Sequence, residues 1–226
     1  MNDRGLIVAL DGPGSSGKSS VGAAAALALG YRFGDTGLLY RALTWLALEL
    51  GRSLEDERGL VPLAETIELA PDDRGRLDRV RVNGRDVTGL VHSSIVDRRV
   101  SEVASRPMVR AALMPRQRAL VSDGRIILAG RDIGTVILPD ADLKIYLDAS
   151  VEERARRRAE ERGLHAGSPE ATAILEELRR RDAVDSGRAT APLRVPPDAE
   201  VIRTDGNTFE ATVAAVVETI RRREGS

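Results

Sequence analysis

The chain of 226 residues contains no cysteine, and this absence excludes disulfides, thiolate zinc sites and a thiol nucleophile. An intracellular enzyme needs none of these. The chain also has almost no net charge, because 34 basic and 35 acidic residues leave a formal charge of -1. A dedicated nucleic-acid binder carries an overall basic field. We therefore expect no nucleic-acid partner.

Long apolar runs are missing as well. The run at residues 6–10 is too short to span a bilayer or to act as the apolar part of a secretory signal. We therefore expect a cytoplasmic protein with no membrane partner. With 42% hydrophobic and 31% charged residues the composition is globular, and the length allows one elaborated domain.

Lysine is nearly absent. Only Lys18 and Lys144 are lysines, so 32 of the 34 basic residues are arginine. The guanidinium group of arginine can form bidentate hydrogen bonds with phosphate and carboxylate groups. Codon bias alone would give the same skew, so the count by itself does not decide between the two explanations.

The order of apolar runs and helical segments predicts an α/β fold with a parallel sheet flanked by helices. A buried strand at residues 6–10 ends at Asp11, and a helix follows from Ser19 to Gly30. Further strands are predicted at residues 126–129, 143–147 and 201–202. Further helices are predicted at residues 37–50, 95–104, 108–121, 151–162 and 209–222.

One segment departs from this order. From Leu77 to Val87, apolar and polar residues alternate around Asn83-Gly84, which predicts a β-hairpin. An antiparallel hairpin between helices indicates a small insert on the parallel core.

The turn after the first strand carries a phosphate-binding motif. Its residues, Gly12-Pro13-Gly14-Ser15-Ser16-Gly17-Lys18-Ser19, fit G-x-x-x-x-G-K-[ST], whose backbone N–H groups surround phosphate at a helix N-terminus. Lys18 would bridge the outer phosphates and Ser19 would bind Mg²⁺. An ordinary tight turn is the alternative, but strand, loop and helix come in the order that the motif requires. The motif predicts nucleoside triphosphate binding and leaves the second substrate open.

Arginines supply fixed donors for such a second substrate. The candidates are Arg41, Arg110, Arg131, Arg181 and Arg188. Open α/β sheets bind ligands outside the carboxyl ends of their strands, which favours Arg131 and its neighbour Asp132.

A second group of arginines, residues 154 and 156–158, is less specific. It is explained equally well as the solvated face of a helix, with ion pairs from Glu152 to Arg156 and from Glu153 to Arg157.

The arginines also indicate the class of acceptor. An alcohol would need a general base, whereas a phosphate monoester has a second pKa of about 6 and is an oxyanion at neutral pH. The chain has no HxD or catalytic-loop pattern, so a phosphate acceptor fits better.

Several blocks of the sequence together resemble bacterial cytidylate kinases, which are P-loop nucleoside monophosphate (NMP) kinases. The blocks extend over most of the chain. The most specific are Gly130-Arg131-Asp132-Ile133-Gly134-Thr135 and the spaced Arg181, Asp185 and Arg188. The others are residues 11–20, 35–42, 139–141, 143–154 and 191–193.

The resemblance implies a reaction and a set of roles. ATP would give its γ-phosphoryl group to CMP or dCMP, with Mg²⁺. Gly12 through Ser20, with Arg154 and Arg158 of a lid, would bind ATP. The acceptor phosphate would contact Thr36, Arg41, Arg131 and Arg188. The sugar would contact Arg181 and Asp185, and the base would contact Ser101, Arg110 and Asp132. The catalytic groups would be Lys18, Arg131, Arg158 and Arg188.

The resemblance also implies how the chain is organised, as a single domain over residues 1–226 and a monomer. A five-stranded parallel core would span about residues 1–37, 100–150 and 168–226. The NMP-binding insert, which contains the hairpin, would span about residues 38–99, and a helical lid about residues 151–167.

Several alternatives stay open. The acceptor could be another small molecule, such as a different nucleoside monophosphate or shikimate, or the chain could be a P-loop regulator that couples its ATP state to a partner. Asp132 could serve mainly as the ion-pair partner of Arg131. Asp148, at the end of a predicted strand, could orient a water on Mg²⁺ or cap the next helix.

We expect Lys18→Arg to impair phosphoryl transfer and Lys144→Arg to have a mild effect, because only the motif position requires lysine. Initial rates of ADP formation in the two variants test this. Equal losses in both would contradict the role assigned to Lys18.

Overall fold

The computed structural model describes residues 5–225. Within this range the strands are β1 (Ile7–Asp11), β2 (Arg32–Asp35), β3 (Ile67–Ala70), β4 (Arg76–Leu77), β5 (Arg79–Val82), β6 (Arg85–Asp86), β7 (Ile126–Ala129), β8 (Leu143–Asp148) and β9 (Glu200–Arg203). The helices are α1 (Lys18–Leu29), α2 (Gly37–Glu49), α3 (Glu57–Ala64), α4 (Ser94–Ala104), α5 (Pro107–Ala119), α6 (Val151–Glu161), α7 (Pro169–Gly187) and α8 (Phe209–Glu224), with a π-helical turn at Ile133–Ile137.

Six strands form one parallel sheet in the order β4-β2-β7-β1-β8-β9. β1 lies inside this sheet, between β7 and β8. Val8, Ala9 and Leu10 are fully buried, as expected of a strand covered by helices on both faces. The predicted α/β fold with a parallel sheet is confirmed.

The predicted hairpin is also confirmed. β5 and β6 pair antiparallel, and Asn83 and Gly84 between them have φ angles of 49° and 78°, the left-handed conformation that a two-residue hairpin turn requires. β3 pairs with the other edge of β5 and completes a small antiparallel sheet.

The core sheet has six strands, where the resemblance implies five. The additional strand is β4, which comes from inside the expected insert and pairs parallel with β2. Leu77, predicted to belong to the hairpin, is instead buried under the main sheet with Ala9, Ile126 and Leu128. Burial of this apolar side chain stabilises β4 at the sheet edge.

The six predicted helices are present as α1, α2, α4, α5, α6 and α8. Two helices are additional. α3 is short and contains Pro62, which disfavours a helix prediction although Leu60, Leu63 and Ala64 lie on one face. The buried side chains of α7 include Arg181 and Asp185, so its apolar stripe is incomplete. None of the helices within residues 5–225 is long and apolar enough to cross a membrane.

The segment between β2 and β7 has a core of its own. Leu43 of α2, Leu60 of α3, Val80 of β5 and Leu113 of α5 are fully buried there, and Trp45 packs against them. This separate core holds α4 and α5 in place beside the carboxyl ends of the main strands.

Candidate active site

A cavity of about 600 Å³ opens at the carboxyl ends of β1, β2 and β7. Residues after each of these strands line it, together with side chains from α2, α4, α5, α6 and α7 and from the loop before α8. All the site residues predicted from the sequence lie in its wall except Gly12, Pro13 and Arg154. The cavity therefore unites the residues assigned to two substrates, at the sheet edge where α/β folds bind ligands.

The loop between β1 and α1 has the conformation of an anion site. Gly12 has a φ of 151°, and a Cβ there would lie 2.2 Å from the carbonyl oxygen of Leu147, so a side chain does not fit. Helix α1 begins at Lys18, directly after the left-handed Gly17. Because the loop and the first turn of α1 line the cavity, the free N–H groups of that turn are available to phosphate.

Lys18 is buried in this loop and donates hydrogen bonds back to it. Its Nζ lies 2.7 Å from the carbonyl oxygen of Pro13 and 3.3 Å from Ser16 Oγ. Burial, and after it the charge of Arg131, holds the pKa of Lys18 well below its usual range. A phosphate in the cavity would reverse this effect by supplying negative charge.

Asp11 joins the phosphate loop to the segment after β7. Its two carboxylate oxygens accept hydrogen bonds from the backbone N–H of Ile133 and Gly134, at 2.8 and 2.7 Å. Burial raises the pKa of Asp11 to about 6, although both hydrogen bonds oppose the rise. Arg131 and Asp132 directly precede this anchored turn, so Asp11 fixes their distance from the phosphate loop.

Asp35 is a site residue that the sequence reasoning missed. Ser19 Oγ donates to Asp35 Oδ2 at 2.5 Å, and the backbone N–H of Gly37 donates to Asp35 Oδ1 at 2.9 Å. Asp35 ends β2, and this strand was not predicted because Phe33 is the one large apolar residue among its four. No predicted strand end therefore marked Asp35, as one marked Asp132.

Three arginines crowd one part of the cavity wall. Arg131 Nε donates to Asp185 Oδ2 at 3.0 Å, and Arg188 Nε donates to the backbone carbonyl of Asp185 at 3.1 Å. Two buried nitrogens, Arg181 Nε and Arg188 Nη2, have no hydrogen-bond partner within the described residues. Burial, and after it the charge of Arg131, lowers the pKa of Arg181 to about 10. The cluster is therefore short of negative charge.

Arg110 and Asp132 form a buried ion pair in the same wall. Arg110 Nη2 donates to Asp132 Oδ2, and the two side chains are only 5% and 6% exposed. Arg110 also lies over the ring of Tyr40, with its guanidinium carbon 5.4 Å from the centroid. Since the partner of Arg131 is Asp185, the alternative in which Asp132 mainly holds Arg131 is wrong.

Helix α6 places Arg158 next to the phosphate loop. Its Nη1 donates to Ser15 Oγ at 3.2 Å, and its Nη2 donates to Asp97 Oδ2 of α4 at 2.9 Å. Arg158 therefore borders both the donor loop and the insert.

Arg154, on the same helix, is buried instead. Its guanidinium donates to the carbonyls of Ala149 and Gly14 at 3.0 and 2.9 Å, and to both carboxylate oxygens of Asp182 at 3.2 and 2.5 Å. These contacts tie the phosphate loop to α6 and α7, and the side chain lies outside the cavity wall.

Comparison with known proteins identifies the family. The family model for cytidylate kinase matches residues 8–222. The chain belongs to the cytidylate kinase family. A cytidylate kinase of Geobacillus thermodenitrificans is 45% identical over 225 residues, which are 99% of this chain and 100% of that protein. One of Herpetosiphon aurantiacus is 45% identical over 214 residues, which are 93% and 92% of the two chains.

Solved structures add a distant likeness. A shikimate kinase from Acinetobacter baumannii in complex with shikimate has a TM-score of 0.45 and 16% sequence identity, over 98% of this chain and 96% of that one. A likeness this distant does not bear on the substrate.

Membership of the cytidylate kinase family makes the chain an enzyme, a nucleoside monophosphate kinase. The alternative of a P-loop regulator without catalytic activity is therefore wrong. The resemblance found in the sequence is confirmed over nearly the whole chain.

The ion pairs on α6 differ in part from those predicted. Arg157 pairs with Glu153 at 2.8 Å, as expected. Glu152 pairs with Arg179 of α7 instead of Arg156, because the packing of α7 against α6 brings that arginine within 2.9 Å. Arg156 is half exposed and pairs with Glu153, so it fits the solvated-face alternative in part, but it also lies in the cavity wall with Arg157 and Arg158.

Of the two roles left open for Asp148, capping of the next helix is wrong. Ser150 caps α6, because its Oγ accepts the backbone N–H of Glu153 at 3.2 Å. Asp148 does not lie in the cavity wall. Asn207 and Thr208, in the loop before α8, and Phe209, the first residue of α8, do lie there, although no motif marks them in the sequence.

We expect Arg154→Met to lower the free energy of unfolding by about 3 kcal/mol, because it removes a buried charge from its partners. Loss of the Gly14 contact should also raise the KM for ATP. Urea unfolding and steady-state kinetics measure the two effects. Arg179→Met is the matched control: Arg179 pairs with Glu152 of α6 but is exposed and lies outside the cavity wall, so this change should alter neither quantity. Equal losses in both variants would contradict the anchoring role of Arg154.

Proposed function

We propose that the protein transfers the γ-phosphoryl group of ATP to CMP or dCMP, with Mg²⁺, and gives ADP with CDP or dCDP in pyrimidine nucleotide metabolism. The observation that carries the proposal is the buried cluster of Arg131, Arg181 and Arg188, which has unsatisfied N–H groups beside the phosphate loop. Two phosphate sites in one cavity are what transfer between nucleotides requires. The similarity to cytidylate kinases supports cytidine as the nucleoside.

The donor side is the phosphate loop. The N–H groups of Gly12 to Ser20 would hold the ATP phosphates, and Lys18 would move from its carbonyl partner to a phosphate oxygen. Arg158, beside Ser15, would contact the phosphate chain, and Arg154 would act through Gly14 by holding the loop.

The acceptor side combines charge and shape. Arg41, Arg131 and Arg188, with the hydroxyl of Thr36, would bind the acceptor phosphate, and Arg188 Nη2 is still free to donate. Asp185 and Arg181 would meet the sugar. The guanidinium groups are held by other contacts before the ligand arrives, so little reorganisation is needed during transfer.

The base would be read by Ser101, Arg110 and Asp132. Asp132 uses Oδ2 for Arg110, which leaves Oδ1 to accept a hydrogen bond from the N4 amino group of cytosine. Arg110 can donate to O2 and N3. Uracil would place its O4 against the carboxylate, so this pair favours cytosine.

The reaction needs no general base from the protein. An acceptor phosphate with a second pKa of about 6 is already an oxyanion at neutral pH. What the transition state needs is positive charge around the transferred group, which Lys18, Arg131, Arg158 and Arg188 would supply.

Mg²⁺ fits the donor side. The hydroxyl of Ser19 and the carboxylate of Asp35 are hard oxygen donors side by side in the cavity wall, and Mg²⁺ is commonly held by one or two such groups together with substrate phosphates. When bound, the ion would neutralise charge on the ATP phosphates. Ser19 and Asp35 would hold it in place.

The proposal is tested by a coupled assay of ADP formation with ATP and CMP, dCMP, UMP, AMP or shikimate. We expect CMP and dCMP to give the highest kcat/KM, and AMP and shikimate to stay near the ATP-only rate. If CMP and dCMP gave no ADP above that background, the proposal would be wrong.

We expect Asp132→Ala to cut kcat/KM for CMP far more than it changes the affinity for ATP, because its proposed partner is the base. Asp132→Asn preserves the size of the side chain but can donate to O4 of uracil, so it should lower the preference for CMP over UMP by about 10-fold or more. Kinetics with both acceptors and ATP binding by calorimetry measure this. Equal losses on ATP and CMP would point to a structural role only.

A further inference from the structure

Asp97 of α4 lies between three arginines that come from two other helices. Its Oδ1 is 2.6 Å from Arg41 Nη2 of α2, and its Oδ2 is 2.9 Å from Arg158 Nη2 of α6. Arg162, at the end of α6, is 3.9 Å away. No motif in the sequence marks Asp97. It is nevertheless the carboxylate that joins the insert to the lid helix through these contacts.

The two closer arginines have further contacts that aim them at the cavity. Arg41 Nη1 donates to the carbonyl of Val91 at 3.3 Å, and Arg158 Nη1 donates to Ser15 Oγ at 3.2 Å. Both arginines line the cavity, whereas Asp97 does not. Asp97 therefore holds the two guanidinium groups from outside the cavity and does not occupy the place of a phosphate.

The local electrostatics make this carboxylate a strong shared partner. Burial acts to raise the pKa of Asp97, but the charges of Arg41 and Arg158 outweigh it and leave the pKa below its usual range. The side chain is 14% exposed, so solvent screens these pairs less than ordinary surface pairs. Without its charge, Arg41 and Arg158 would repel each other across the cleft.

We propose that Asp97 is a positioning residue that couples the acceptor site to the ATP site, by holding Arg41 and Arg158 in one ion network. This inference rests on the proposed function, which assigns Arg41 to the acceptor phosphate and Arg158 to ATP. When a phosphate orders Arg41, the shared carboxylate is ordered with it, and Arg158 loses less freedom on binding ATP. By linkage the effect is reciprocal, and couplings of this kind are typically about 5-fold to 150-fold in affinity.

The test measures the dissociation constant of CMP with and without a non-hydrolysable ATP analogue. In the unmodified enzyme we expect CMP to bind at least about 5-fold more tightly with the analogue present. In Asp97→Asn this ratio should fall to about 1 and kcat should fall, because Arg158 is no longer held. Asp97→Glu keeps the charge and should restore part of the ratio.

Glu102→Gln is the matched control. Glu102 lies on the same helix and pairs with Arg99 at 2.7 Å, and neither residue lines the cavity. The ratio and kcat should both stay at the unmodified values. A loss as large as that in Asp97→Asn would mean that any charge removed from α4 has this effect, and would overturn the proposal.

Arg158→Gln removes the other partner of the Asp97–Arg158 ion pair, so it tests the coupling even if the Asp97 variants do not fold. Thermal unfolding identifies which variants are folded. A ratio that survives in folded Asp97→Asn or Arg158→Gln, or a ratio of 1 in the unmodified enzyme, would overturn the coupling role and leave the proposed function intact. An unmodified enzyme that does not phosphorylate CMP would instead refute the proposed function itself.

Discussion

Buried positive charge around one cavity is the constraint on which the rest of this structure depends. Lys18, Arg131, Arg181 and Arg188 meet there, and Asp185 contacts two of the arginines, Arg131 and Arg188. Burial lowers the pKa of Lys18, Arg181 and Arg188, so keeping these side chains charged is unfavourable in free energy when no ligand is bound. Phosphate oxygens would remove that cost. In the proposed function, this shortage of negative charge around the cavity would favour substrate binding and stabilise the transition state.

The fold keeps these like charges from moving apart. Asp11 ties the turn after β7 to β1, Arg154 ties the phosphate loop to α6 and α7, and Asp97 ties α2 to α6. Each of these charged side chains is bonded to a different element. They lie at the end of a parallel sheet whose inner strands β1, β7 and β8 are buried on both faces. Rigid strand ends and ionic ties together produce a preorganised site, in which little rearrangement is left for the reaction step.

Local pattern predicted much of this molecule. The motif at Gly12 to Ser19 located the strand, loop and helix of the phosphate site, and Asn83-Gly84 located the hairpin. The predictions from sequence failed where the structure depends on contacts between distant segments of the chain. Leu77 fits the alternating pattern of a hairpin strand but is buried under the main sheet. The contacts of Asp35, Asp97 and Arg154 depend on how distant elements pack together, which the periodicity of a sequence does not indicate. Helix α7 was also not predicted, because its buried face is apolar at Ile174 and Leu178 but charged at Arg181 and Asp185.

The central claim is that the arginine cluster requires the acceptor's phosphate, and thermal or urea unfolding with CMP and with cytidine tests it most directly. Cytidine has the same base and sugar but no phosphate. CMP at about 100 times its Kd should raise the free energy of unfolding by about 2.7 kcal/mol, and cytidine at the same concentration should raise it far less. If cytidine stabilised the protein as much as CMP, the buried arginines would not be the acceptor-phosphate site.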